Sequence, residues 1–219
     1  MESGPVENRP PHILLEDFFD MKLPYRGAKN FLTLVVLYTA FNFCANIVLS
    51  EDNKFSILEE FKFGEMKKLI LHESPKEVSE EIFYTFNSDP LILKSFSGSL
   101  TLINFWATWC APCLEEMPSL SNLQTIKGGK NFKVVTIATM RNSPKSVENF
   151  FKKTSIENLT KYQDPKGKLA RSLKIAGLPL TILLSKDNKE VARFIGDADW
   201  SSPQALNMIQ KAIETDLKN

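Results

Sequence analysis

The sequence predicts an α/β sandwich around a central mixed sheet, carried behind one membrane-spanning helix. Three observations predict it: an uncharged apolar segment of bilayer length, Phe31 to Ser50; a strand-length run buried on both faces, Leu100 to Trp106 (LTLINFW); and strands alternating with helices through the second half of the chain. The 219 residues carry 27 basic against 26 acidic side chains, with 43% hydrophobic, 3 Cys and 2 His. That balance excludes a disordered chain, a collagen and a disulfide scaffold, and a net charge of +1 gives no general reason to expect a nucleic-acid partner. Two histidines leave little material for a multi-histidine metal centre or a Ser-His-Asp hydrolase.

Phe31 to Ser50 (FLTLVVLYTAFNFCANIVLS) has 15 apolar or aromatic residues in 20 and none charged. At a rise of about 1.5 Å per residue, such a helix spans about 30 Å, the thickness of the hydrocarbon layer. Lys22, Arg26 and Lys29 precede it and Glu51 and Asp52 follow, so the amino-terminal tail is expected in the cytoplasm and the rest across the membrane. A cleaved leader ending near Val48-Leu49-Ser50 is the alternative, though a 30-residue polar leader ahead of the apolar run is long for that role. Cys44 reads as a small apolar residue in the span. The expected organisation is a tail over 1–30, an anchor over 31–50, a linker over 51–81 with at most one amphipathic turn, and an α/β domain over 82–219.

Within that domain, Ile82 to Phe86 and Leu91 to Leu93 flank the turn cluster Asn87-Ser88-Asp89-Pro90, as in a hairpin. The central strand Leu100 to Trp106 leads into a helix from about Ala111 to Thr125, closed by Lys127-Gly128-Gly129. Phe132 to Ala138 is a second central strand. Ser143-Pro144 caps and starts a helix to about Thr154, and a polar connection leads to a short helix over Lys166 to Leu173. Thr181 to Leu184 and Glu190 to Ile195 form a second hairpin, and Pro203 to Leu217 is the last helix.

The one sharp chemical signal is Trp109-Cys110-Ala111-Pro112-Cys113, two cysteines separated by two residues where a buried strand opens into a helix. Thiol exchange needs a thiolate, and an ordinary thiol, with a pKa of about 8.5, is mostly protonated at neutral pH. Unpaired N–H groups and the positive end of the helix dipole favour the anion on Cys110. Pro112 fits the first turn, where its missing N–H has no helical partner to lose. Cys110 is the candidate nucleophile, and Cys113, one turn further in, is placed to resolve a mixed disulfide. A structural disulfide across two residues stabilises little by loop entropy. A zinc half-site lacks two further ligands, and a cysteine hydrolase would have to recruit His72.

The stretch NFWATWCAPCLEEMPSL, Asn104 to Leu120, resembles the thioredoxin superfamily, and within it the membrane-anchored TlpA-like and cytochrome-maturation branch. Gly177-Leu178-Pro179-Leu180-Thr181 is similar to the family's cis-proline loop, and Asp197-Ala198-Asp199-Trp200 to a TlpA segment. The resemblance covers about residues 82 to 217. It implies a thioredoxin-like fold with the TlpA-type amino-terminal β-hairpin and a central insert around residues 140 to 165. It makes Cys110 the attacking thiol, Cys113 the resolving one, and Leu178-Pro179 a cis bond that borders them and binds an extended substrate segment beside Trp109. Glu116, three residues after Cys113 and so on the same helix face, matches the branch's acid that influences the cysteine protons; Asn104 stands where plain thioredoxins have a buried Asp. The alternative for Glu116 is a solvated helix glutamate like Glu115.

The resemblance further implies a single-pass protein of the inner (cytoplasmic) membrane with a periplasmic thiol-disulfide reductase domain and no cofactor beyond its redox-active cysteines. Its expected partners are a membrane thiol carrier as electron donor and, as clients, a copper chaperone, the copper-binding subunit of cytochrome oxidase, or apocytochrome c. Neither Ala111 nor Pro112 adds a cation, and Glu116 adds negative charge, which favours the reducing direction. A non-catalytic membrane-tethered adaptor is the alternative of a different class. A peroxidase of the peroxiredoxin kind would need Thr-x-x-Cys, but Ala107 stands three before Cys110.

Overall fold

The computed structural model describes residues 53–218, so the tail and membrane segment expected over 1–50 lie outside the described residues. Among the described residues no helix is long and apolar enough to cross a membrane.

Much of the segment expected as a linker is instead built into the sheet domain. Lys54–Phe61 and Gly64–Lys68 are 3-10 helices and Leu69–Glu77 is strand β1. Apolar burial draws them in: Phe55, Leu58, Met66 and Leu69 all belong to the main hydrophobic core, each side chain contributing about 1.5–3 kcal/mol when removed from water. Asn53 anchors the start, its side-chain oxygen accepting from the Phe55 N–H while its Nδ2 donates to the His72 carbonyl at 2.6 Å.

Strands β2 (Phe83–Thr85) and β3 (Pro90–Leu91) form the expected hairpin. Its second arm is shorter than the sequence implied, because Leu93–Phe96 turns into a 3-10 helix that buries Leu93 and Phe96. Next come β4 (Leu100–Trp106), helix α1 (Ala111–Lys127), β5 (Phe132–Thr139) and α2 (Pro144–Thr154), close to their expected positions. Ser143 caps α2 by accepting from the Ser146 N–H. The polar connection that follows contains a short strand, β6 (Thr160–Asp164), before α3 (Lys168–Ser172), β7 (Leu180–Leu184), β8 (Lys189–Ile195) and α4 (Pro203–Leu217).

The eight strands form one sheet in the order β1-β8-β7-β4-β5-β6-β2-β3. β5 is parallel to β4 and β6 to β5, while the other neighbours are antiparallel. Every residue of β4 is buried, as its nearly continuous apolar run implies. Leu100, Leu102 and Trp106 face the core shared with α1 and α4, whereas Ile103 and Phe105 face a second core with Phe83, Leu93 and Leu169. Asn104 lies in the same alternation as Leu102 and Trp106, so it turns toward α1, whereas the strand's other polar residue, Thr101, lies in the opposite alternation. The hairpin joins the sheet through β6, where Tyr162 stacks edge-on to Phe83 with centroids 5.4 Å apart.

Candidate active site

The chain leaves β4 at Trp106, turns through Ala107, Thr108 and Trp109, and enters α1 at Cys110. A clamp from the end of β5 fixes this turn: the Thr108 N–H and hydroxyl both donate to Asn142 Oδ1, at 2.7 and 2.9 Å, and Asn142 Nδ2 donates to the Thr139 carbonyl at 2.6 Å. Cys110 is the N-cap residue of α1, with extended backbone (φ −99°, ψ 100°), and Pro112 occupies the first turn. No side chain caps this end, which leaves the helix-start N–H groups available to a sulfur anion.

Cys110 and Cys113 are joined in a disulfide with their Cα atoms 5.3 Å apart. Both cysteines are buried, but Cys110 retains 7% exposure and Cys113 none, so of the two only Cys110 reaches the surface. Trp109 stands beside it 58% exposed, an apolar ring left in water, while Trp106 is packed inside against Phe150 and Phe151.

Glu116 is buried, unlike exposed Glu115 next to it. Three donors converge on its carboxylate: Asn104 Nδ2 to Oε1 at 2.7 Å, Trp200 Nε1 to Oε2 at 3.1 Å, and the Ala198 N–H to Oε2 at 3.4 Å. Burial raises its pKa from the ordinary 4.5 to about 7; the three hydrogen bonds oppose that rise and the nearby Asp197 charge adds to it. The group is therefore poised to gain or lose a proton at neutral pH. It also lines a shallow groove with Ser119, Asp197 and Asp199. Asn104 in turn donates from Nδ2 to Thr181 Oγ1 at 3.0 Å, across the β4–β7 pairing.

The Leu178–Pro179 peptide is cis, and the Pro179 carbonyl accepts from the Gly196 N–H at 2.9 Å. Leu178 packs against the buried cluster to which both cysteines belong. His72 plays no part in this site: it is buried in β1, three strands from β4, with Nε2 bonded to Glu190 Oε1 at 2.8 Å. That placement removes the histidine a cysteine hydrolase would need. The partners of Glu116 were not assigned from the residue pattern. Trp200 lies 84 positions away, and its only signal was a place in the Asp197–Trp200 segment of the resemblance. The Asn142 clamp left no signal in the sequence.

The Redoxin family profile matches residues 86–209. The thiol-disulfide oxidoreductase ResA of Bacillus cereus (strain ATCC 10987 / NRS 248) is 26% identical over 151 residues, which cover 69% of this chain and 84% of that protein. A DsbF homologue from Corynebacterium diphtheriae superposes with a TM-score of 0.55 at 25% identity, covering 66% of this chain and 92% of the other. A secreted thiol-disulfide isomerase from Corynebacterium glutamicum has a TM-score of 0.55 at 19% identity, covers 68% and 92% of the two chains, and supports the fold.

Proposed function

We infer that this chain, which belongs to the Redoxin family and is a thiol-disulfide oxidoreductase, works in the reducing direction on the cysteines of client proteins. The observation that carries the reading is the pairing of a helix-start disulfide with a buried carboxyl whose pKa lies near 7. In the dithiol state Cys110 loses its proton and its thiolate attacks a client disulfide sulfur; one client sulfur leaves as a thiolate and takes up a proton. Cys113 then gives up its proton and attacks Cys110 Sγ, which breaks the mixed disulfide and frees the second client thiol. Two electrons have passed to the client, and the enzyme holds the disulfide seen here. Glu116 accepts the resolving thiol's proton and returns it when the cysteines are reduced again.

A negative charge on Glu116, three residues after Cys113 on the same helix, disfavours the thiolate of the reduced form, and no cation lies between the cysteines in sequence, so the potential belongs nearer to that of thioredoxin, about −270 mV, than to the strong oxidant DsbA at about −120 mV. A reductant in an oxidising compartment needs electrons from across the membrane. The apolar segment Phe31 to Ser50 supplies the tether and the basic residues before it the orientation, with the catalytic domain in the periplasm. The clients that fit are proteins whose cysteines must be reduced before metal or haem insertion: a copper chaperone, an oxidase copper-binding subunit or an apocytochrome c. Trp109, Leu178 and Pro179 form the surface offered to them.

The test is a Cys113→Ser trap, with the disulfide-linked partners identified by mass spectrometry. Capture of a copper chaperone, the oxidase subunit or an apocytochrome c through Cys110 supports the reading. Failure of the wild type to reduce a model disulfide, with nothing captured, would favour a non-catalytic adaptor instead.

A further inference from the structure

Glu116 presents a problem of hydrogen-bond accounting. Its three partners all act as donors, which suits a carboxylate. A protonated carboxyl has one O–H to donate, and buried away from water that O–H needs an acceptor. The Trp200 indole and the Ala198 backbone N–H have none to offer. Asn104 does: its Oδ1 is buried without a hydrogen-bond partner, while its Nδ2 serves both Glu116 and Thr181. The two ends of a carboxamide are nearly alike in size, so exchanging them costs little packing; it carries the two Nδ2 protons to the position where Oδ1 has no partner, so the bonds Oδ1 would accept from the Glu116 O–H and the Thr181 hydroxyl must outweigh that loss. Thr181 is neutral to the exchange, because a hydroxyl accepts from Nδ2 in one orientation and donates to Oδ1 in the other. The backbone need not move, since Asn104 is paired on both sides, with Thr136 and with Thr181.

We propose that the Asn104 carboxamide turns over when Glu116 takes up its proton, with Thr181 as the hydroxyl that serves both orientations, so that the buried carboxyl keeps a partner in each of its states. Asn104 is a positioning residue, acting through Glu116. The inference rests on the reading that Glu116 exchanges a proton during turnover, and it explains how a site this enclosed stabilises both forms. The other ionisable groups around Glu116 are few. On α1, Cys113 is in the disulfide and Glu115 points to solvent. In the loop before α4, Asp197 is paired with Lys68 at 3.7 Å from beside β1, and Asp199 accepts from Ser201. The sheet contributes only the uncharged Asn104 and Thr181.

The test is nuclear magnetic resonance on the oxidised full-length chain with labelled asparagine and threonine, titrated from pH 5 to 9. The expected result is a set of cross-relaxation contacts from the Asn104 amide protons to Thr181 that are strong above the Glu116 midpoint, fall at least several-fold below it, and follow the Glu116 carboxyl carbon. In Glu116→Gln the contacts should not change with pH. Contacts that stay constant through the wild-type titration, or that still change in Glu116→Gln, would overturn the proposal. Disulfide exchange assayed on the same samples separates the two readings: exchange with a motionless amide removes the amide turnover and leaves the function, whereas absent exchange removes the function.

Discussion

Replacing Glu116 by Gln removes a buried like charge from beside the cysteines, and its effect can be worked from the structure. Residues three apart on a helix have Cβ atoms about 5–6 Å from one another. Two unit charges about 6 Å apart, at an effective dielectric of about 20, repel by about 3 kcal/mol. With a pKa of about 7, Glu116 carries only part of its charge at neutral pH. A fall of about one to two units is therefore expected in the pKa of the nearer thiol, at about 1.4 kcal/mol per unit. The assay is the alkylation rate of each cysteine in the reduced protein against pH. An unchanged profile in a folded Glu116→Gln protein would refute the reasoning and return Glu116 to a structural role. The same substitution carries a stability signature. Between pH 4.5 and 7 the folded wild type holds a proton that the unfolded chain has released. This favours the fold fully below pH 4.5 and is lost as pH rises through 7, a change of about 3 kcal/mol that Glu116→Gln should lack. Denaturant midpoints measured across that window test it.

Two further outcomes follow from other clusters. Burial pushes the Glu190 carboxyl up, but hydrogen bonds and charge from His72 and Arg193 outweigh it and hold the pKa below the usual range. Arg193→Leu, which breaks the two-pronged contact at 2.6 and 2.9 Å, should cost about 3 kcal/mol near neutral pH and less as the solution is acidified through the Glu190 pKa, read by chemical denaturation; a cost independent of pH would argue against the ion pair. Asn142→Ala frees the turn before Cys110 and should slow exchange with a model disulfide several-fold while lowering stability by about 1–2 kcal/mol; an unaltered rate would show that the clamp does not position the cysteines.

What the sequence made legible was the material with strong local pattern. β4 announces itself because seven consecutive residues are buried on both faces, and α2 and α4 because Ser-Pro marks each start. The edge strand β1 does not, because Leu69–Glu77 places Pro75 and several polar residues among its apolar positions and is buried only in part. β6 was hidden for the same reason: Thr160–Asp164 is mostly polar, and its strand state is imposed by pairing with β5 and β2. At the site, the cysteine pair could be read because its chemistry lies within four residues. The setting of Glu116 could not, since its donors arrive from Asn104 of β4 and from Ala198 and Trp200 of the loop before α4, distances along the chain that no local pattern spans.

The central claim is that the sulfur of Cys110 is reactive and within reach of solvent while its partner waits behind it. It is tested most directly by reducing the full chain, pulsing it with iodoacetamide at neutral pH and mapping the modified cysteine by mass spectrometry over time. Cys110 should be alkylated first and Cys113 much more slowly. Equal labelling of the two, or two thiols that resist the reagent in the folded protein, would contradict the account.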